Sequence, residues 1–339
     1  MARLKDAQIL YFEPPASREH RTDKKPGRRI RPNLTVYTLP PILDVEERHT
    51  YFFRRNQNKL ARFIEQTMRR HRFRDPLLWC TCPWQVHLLD YLPYRGLVYD
   101  CDREWRRFPL RWESDLALEA DVIFAASPGL MERLSPCSDN IALLPNGTNH
   151  TMFSQSSTQC PPELQGLTCP VLGYAGTVWR DLSLVPVQQA ARSHPSCAFL
   201  FVGRIEENPM VPILRALPNV AFLGLKSPFE LPDYLNHFNV CLNLTRSSHP
   251  KDDILSSRVY EYLSTGNPIV SMLHEEQVEY FPDVIYNAHS PKEFAQLCTH
   301  ALSEVGDWAR QRRQDYGAAN AWSCRAKEIT RILETIGLC

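Results

Sequence analysis

Val240-Cys-Leu-Asn-Leu-Thr245, followed by Ser256-Ser-Arg-Val-Tyr-Glu-Tyr-Leu-Ser-Thr-Gly-Asn-Pro-Ile-Val-Ser271, reads as strand, anion-binding turn, helix, stop signal and strand. A helix that opens with small hydroxyl residues offers unpaired backbone N–H groups to an anion. Ser256 and Ser257 suit that start, and Gly266 with Pro268 marks the end. Val259, Tyr262 and Leu263 recur at i, i+3, i+4 and form the stripe to be buried. Arg258 and Glu261 lie at i, i+3 on another face, free to meet a ligand. A phosphate at the helix tip, a cation beside it and a carboxylate one turn down make a site for a nucleotide diphosphate carrying a hydroxyl-bearing sugar. A solvated Arg–Glu surface pair is the other reading of the same two residues.

Outward from this segment, short apolar strands alternate with helical spans. In the first half Gln8–Phe12, Leu34–Thr38, Leu77–Thr81, Gly96–Asp100, Asp121–Ala126 and Ile141–Leu144 read as strands, and 51–72 has helical periodicity. After the Ser/Thr/Gln/Pro-rich Ser154–Pro162 the pattern restarts with Val171–Ala175, Ala198–Val202, Val220–Leu223, Val240–Leu244, Ile269–Leu273 and Val284–Tyr286. Short, continuously apolar strands alternating with helices predict parallel sheets covered by helices. The expected fold is α/β: two Rossmann-like domains with parallel sheets facing a cleft. The expected division is 1–153 as the first domain, 154–168 as a linker, 169–317 as the second domain, and 318–339 as a C-terminal helix crossing back to the first. Ligands of such sheets sit beyond the carboxyl ends of strands. That places Gly176 to Arg180, Gly203-Arg204, Gly224 to Lys226 and the Ser256–Glu261 turn together as candidate site segments.

Composition narrows the class. The chain has 339 residues, 43% hydrophobic and 23% charged, which is ordinary for a soluble protein of about two domains. The net charge of +1 gives no global field that would select nucleic acid. No apolar run reaches the roughly 18 residues of a membrane span. Met-Ala-Arg-Leu-Lys-Asp at the start does not read as a signal peptide, so the 11 cysteines are expected to be reduced thiols in a cytoplasmic protein. Cys80 and Cys82 read as a pair of thiols on one side of a strand rather than a zinc site. Charge is concentrated between Arg18 and Arg74, where sixteen Lys/Arg face six Asp/Glu, a difference of about +10. Anionic lipid, a pyrophosphate-bearing substrate, nucleic acid or plain solvent would each suit such a stretch.

Six motifs, in order, carry a resemblance: Val98-Tyr-Asp-Cys-Asp102, Glu119-Ala-Asp-Val-Ile-Phe-Ala-Ala-Ser127, Leu144-Pro-Asn-Gly147 with Phe153, Leu172-Gly-Tyr-Ala-Gly176, Leu217-Pro-Asn-Val-Ala-Phe-Leu-Gly224 and Arg258 to Val270. The chain resembles the retaining sugar-nucleotide glycosyltransferases with two Rossmann-like domains, of the family 4 kind. Within them it is most like the teichuronic-acid and other cell-surface polysaccharide branch.

The resemblance implies transfer of a sugar from a nucleotide-diphosphate sugar to a glycan or lipid-linked acceptor. It further implies retention, no metal and no cofactor, at a peripheral position on the inner face of an anionic membrane. By position Glu261 matches the carboxylate on the donor ribose. Arg258 stands where the family usually has Lys, and it would meet the diphosphate as a fork. Ser256 and Ser257 match the helix tip, and Gly176 the glycine turn close to ligand. The Gly224–Lys226 turn would lie near the nucleobase, and Arg180 or Arg204 would assist at the phosphate. Catalysis is expected from Arg258 and Asp253.

Three departures stand out. Asp253 replaces a Glu of the family's paired acidic motif, and Thr148-Asn149 replaces Val-Asp. Gln8–Phe12 resembles the family's second strand, which implies that the opening strand with its glycine-rich loop is missing and leaves an exposed sheet edge; the other reading takes Gln8–Phe12 as the first strand itself. The Asp100/Asp102 pair is expected at a strand end or on the acceptor side, and His71 and His87 are the first-domain histidines to inspect for acceptor binding. A hydrolysing epimerase is the rival enzyme, but the sequence shows no His and acidic set for it. A catalytically silent subunit that binds a partner transferase or lipid-linked glycan is the rival of another class.

Overall fold

The computed structural model describes residues 7–14, 27–43, 45, 49–155, 159–244 and 254–338. They fall into two compact units, Met1–Pro145 with Arg325–Cys339, and Asn146–Cys324.

The first unit runs β1 (Ile9–Glu13), β2 (Arg28–Arg31), β3 (Leu34–Thr38), α1 (Thr50–Arg70), β4 (Leu77–Cys80), β5 (Gly96–Cys101), α2 (Leu110–Glu119), β6 (Val122–Ala125), α3 (Pro128–Leu134) and β7 (Ile141–Leu143). Its strands make two sheets, β1-β3-β2 and β4-β5-β6-β7. All pairings are parallel except β2 with β3. Strand β2, Arg-Arg-Ile-Arg, is fully exposed and has no apolar alternation, which is why sequence reasoning passed over it. Among the described residues β1 pairs only with β3, and β4 only with β5.

Helix α1 buries Leu60, Ile64 and Met68 at intervals of four, against Leu10 and Phe12 of β1 and Leu78 of β4. It ends where Arg72 turns to φ 61° and Phe73 N–H closes back on Met68 O at 2.9 Å.

The second unit runs α4 (His150–Ser154), β8 (Val171–Ala175), α5 (Val185–Ser193), β9 (Ala198–Val202), α6 (Val211–Arg215), β10 (Val220–Gly224), α7 (Leu231–Asn236), β11 (Val240–Asn243), α8 (Ser257–Thr265), β12 (Ile269–Ser271), α9 (Glu275–Val278), β13 (Ile285–Asn287), α10 (Pro291–Leu302) and α11 (Trp308–Ala319). Its one sheet is wholly parallel, in the order β10-β9-β8-β11-β12-β13. Central strands β8 and β11 are buried along their whole length. Each face meets its own core, one built on α5 and α10 and the other on α7 and α8.

The last helix, α12 (Trp322–Thr335), places Ile329 and Leu333, with Leu338 beyond it, among Val98, Val122 and Phe124 of the first unit.

The unit boundary at Pro145 falls earlier than the expected 153 because Phe153 is 5% exposed in the second core. The expected linker is packed where it is described. Leu164, in a short turn over Pro162–Leu164, is also 5% exposed in that core. Asp253 lies outside the described residues.

Candidate functional site

Strand order in the second sheet reverses between β8 and β11, so chain leaves these neighbours in opposite directions and opens a crevice at their carboxyl ends. Helix α8 opens on this crevice. Ser256 takes the extended N-cap conformation (φ −70°, ψ 150°), its hydroxyl makes no capping bond, and the first turn holds no acid. Among the described residues no side chain caps these N-terminal N–H groups or offsets the positive end of the helix from its first turn. Ser257 is the first helical residue.

Three contacts fix where the helix starts. Tyr262, fully buried, accepts Ala175 N–H at 2.9 Å and ties α8 to the tip of β8. Asn146 Nδ2 donates to Leu255 O at 2.8 Å, and Gln277 Nε2 to Ile254 O at 3.2 Å. Sequence reasoning singled out none of these as site residues. Gln277 has a local signal, since His274 and Gln277 form a capping box on α9, but its bond to Ile254 spans 23 positions and leaves no trace in periodicity.

Arg258 and Glu261 project from the partly exposed face, as their spacing predicts. Arg258 Nε lies 3.1 Å from Glu261 Oε2, with side chains 26% and 18% exposed. Burial raises the Glu261 carboxyl above its ordinary range against the pull of the Arg258 guanidinium. Val259, Tyr262 and Leu263 are buried as expected. So is Tyr260, because α8 is covered on more than one side and Tyr260 meets Phe281 edge-on at 5.9 Å.

Opposite the helix, β8, β9 and β10 end in a row of glycines. Gly176 N–H donates to Val202 O at 2.7 Å, and Gly203 N–H to Gly224 O at 2.8 Å. Gly203 has φ 141°, and a Cβ there would lie 2.1 Å from Gly176 O, so no side chain fits. A Cβ on Gly176 would lie 2.7 Å from Arg258 Nη1, which places the guanidinium directly beside that turn.

The following loops run together through the Val178–Ile205 bridge. They carry Arg180 and Arg204, both exposed and without an ion pair among the described residues. Lys226 differs. It ion-pairs with Glu163, and its ammonium lies 5.4 Å from the Tyr234 ring centre. The Lys226 bond, with one from Tyr234, holds the Glu163 carboxyl down at about 2. The charge of Lys226 therefore already has a partner.

The first-unit candidates are likewise engaged. Trp79 Nε1 donates to Asp100 Oδ2 at 3.0 Å, burial pushes Asp100 up to about 6, and Asp102 pairs with Arg103 at 2.7 Å. His71 Nε2 meets Tyr37 Oη at 2.8 Å, and His87 packs edge-on against Phe53 and Trp112. Cys80 is buried, which raises its thiol to about 12. Cys82 lies beyond the strand.

Residues 185–331 match a family model described as Glycosyl transferase-like. The chain is 25% identical over 283 residues to the Bacillus subtilis (strain 168) protein named "Putative teichuronic acid biosynthesis glycosyltransferase TuaH", covering 75% of this chain and 70% of that one. Among solved structures, sucrose-phosphate synthase from Thermosynechococcus elongatus superposes with a TM-score of 0.70 at 14% identity, covering 97% of this chain and 89% of that chain. A UDP-forming α,α-trehalose-phosphate synthase from Burkholderia xenovorans gives 0.71 at 13%, covering 97% and 94%. Anabaena HepE, in complex with UDP and glucose, gives 0.66 at 15%, covering 89% and 86%. The fold is the B-type glycosyltransferase fold of two Rossmann-like units, and the chain is glycosyltransferase-like in sequence as well as in fold.

Proposed function

We propose that this protein transfers a sugar from a nucleotide-diphosphate sugar, with retention of configuration and without a metal, to a glycan or lipid-linked acceptor in cell-surface polysaccharide synthesis. The observation that carries the reading is the meeting of the α8 N-terminus, Arg258 and Glu261 with the Gly176 turn at the strand-order reversal. The name of the Bacillus subtilis relative supports the polysaccharide role, and the UDP bound to HepE supports the donor class.

The chemistry follows from the residues. As the bond to the anomeric carbon breaks, negative charge grows on the leaving phosphate. Helix N–H groups and the Arg258 guanidinium meet that charge without reorganising, and Arg180 and Arg204 add to the field. Glu261 accepts hydrogen bonds from the ribose hydroxyls, with Oε1 available while Oε2 holds Arg258. Gly176 and Gly224 let backbone approach the donor. Lys226 contributes by holding the Gly224 loop to Glu163 and reaches a donor only by leaving that partner. Asp253 is assigned to the sugar, one methylene shorter than the family's Glu. The acceptor belongs to the first unit, at a membrane surface.

A thermal-shift series over UDP-, GDP-, dTDP- and CMP-sugars tests the donor. One diphosphonucleotide donor is expected to raise Tm, since a ligand at ~100 times its Kd stabilises by about 2.7 kcal/mol. Transfer unaffected by EDTA is expected with the donor so identified. Absence of any shift overturns the reading. A shift without sugar transfer or donor hydrolysis would favour a donor-binding subunit instead.

A further inference from the structure

The first unit carries a charged surface of its own. On α1, Tyr51, Arg55, Lys59, Arg62 and Gln66 recur at helical spacing and form one outward stripe. The loop 40–43 runs beside that stripe, and the two line an open groove. Its wall is pre-formed. Asn56, 5% exposed, clamps Leu43 with both amide atoms, donating to Leu43 O at 2.8 Å and accepting Leu43 N–H at 3.1 Å. Lys59 Nζ donates to Pro41 O at 2.5 Å.

Among the described residues that line this groove every charged side chain is a cation. Arg54, Arg55 and Arg62 have no ion pair among the described residues. Glu65, the one acid of α1, pairs with Arg69 at 2.6 Å. Cations toward a helix N-terminus run against the dipole, so local stability does not account for them. The rim is apolar. Tyr51 is 72% exposed, Phe52 46% and Leu43 37%, with the two rings edge-to-face at 5.3 Å.

Such a surface suits a ligand layer with anions at one depth and hydrocarbon at the next. A soluble phosphate uses the arginines but gives the exposed rings nothing to cover them. We propose that this face of the first unit docks on an anionic phospholipid bilayer, with headgroup phosphates on Arg54, Arg55 and Arg62. Tyr51 and Phe52 then enter the headgroup–acyl boundary, where amphipathic rings are favoured. The inference rests on the membrane part of the proposed function and deepens it to a defined surface. Its test reads lipid and donor binding separately.

Sedimentation with sucrose-loaded vesicles decides it. Wild-type protein is expected to pellet with phosphatidylcholine–phosphatidylglycerol vesicles and not with phosphatidylcholine alone. Binding should weaken as salt shortens the Debye length from ~10 Å at 0.1 M to ~3 Å at 1 M. Arg54→Gln and Arg55→Gln should each lower vesicle affinity about fivefold, the equivalent of about 1 kcal/mol. The pair Tyr51→Ser with Phe52→Ser should lower it further. All variants should keep the wild-type circular dichroism and the wild-type thermal shift with donor. Equal pelleting with both lipids, or variants that bind as wild type, overturns the proposal. So does loss of vesicle binding to equimolar inorganic phosphate, which would assign the groove to a soluble anion. Displacement by duplex DNA at equal phosphate would assign it to nucleic acid.

Discussion

Arg258 Nε donates to Glu261 Oε2 at 3.1 Å, so the two charged side chains proposed for the donor's adjoining diphosphate and ribose already hold each other. In the proposed role a diphosphate would meet Arg258 through its remaining N–H groups and a ribose would meet Glu261 through its other oxygen, beside that bond or in place of it. In the proposed role the pair would hold both side chains on the crevice face for an incoming donor, and their removal is expected to be unequal in effect.

Glu261→Ala is expected to lower donor-nucleotide affinity by about 10- to 150-fold, the span of losing about 1.5–3 kcal/mol of hydrogen bonding to a charged acceptor. The fold should survive, because Val259, Tyr262 and Leu263 hold the helix from its other face. Calorimetry with the diphosphonucleotide chosen by thermal shift reads both quantities, and unchanged affinity would remove Glu261 from the site.

Arg258→Ala should reduce turnover more than donor binding, by about 2–4 kcal/mol in the barrier, because the charge it meets is largest in the transition state. Single-turnover rates against donor Kd separate the two effects. Equal losses would assign Arg258 to ground-state binding.

Burial raises the folded-state Glu261 carboxyl above its unfolded value, so the folded chain holds a proton that the unfolded chain has released. Stability linked to this group is complete below the ordinary glutamate pKa of about 4.3 and is lost as pH rises through the folded value. Glu261→Gln should therefore gain on wild type as pH rises above that range and match its pH trend below it. Denaturant midpoints from pH 4 to 8 measure the difference, and a difference that shrinks with rising pH would contradict it.

Arg313 is 1% exposed and reaches four acceptors: Glu304 Oε1 and Oε2, Val284 O and Gly266 O, the last two at 2.9 and 3.2 Å. Burial works against the Glu304 carboxylate, but its bonds from Arg313 and Tyr286 hold its pKa below the ordinary range. Arg313→Met should destabilise the second unit by about 3–5 kcal/mol, because Glu304 is left charged and unpaired. Glu304→Gln with Arg313→Met should recover part of that loss. Urea unfolding of single and double variants measures it.

Most strands were legible because each is a short apolar run, and β3, β8 and β9 fall at the predicted bounds. Helix α8 was legible for a different reason. Its start, stripe and stop are all local signals, and Arg258 and Glu261 leave the stripe by spacing alone. Periodicity over one element fixes which side chains share a face, and so the fold class and the core of the candidate site follow from the chain itself.

Tertiary structure decided the partners. Lys226 lies in a turn that local reading gives to the donor, yet Glu163, 63 positions earlier, takes its charge. Phe153 and Leu164 read as ending a domain and lying in a linker, but the second core has room for both. Asn56 faces the base of a cationic groove only because it clamps Leu43, and Arg313 is buried because four acceptors converge on it. These outcomes turn on which distant groups arrive within hydrogen-bonding reach, and a local pattern carries no record of that distance.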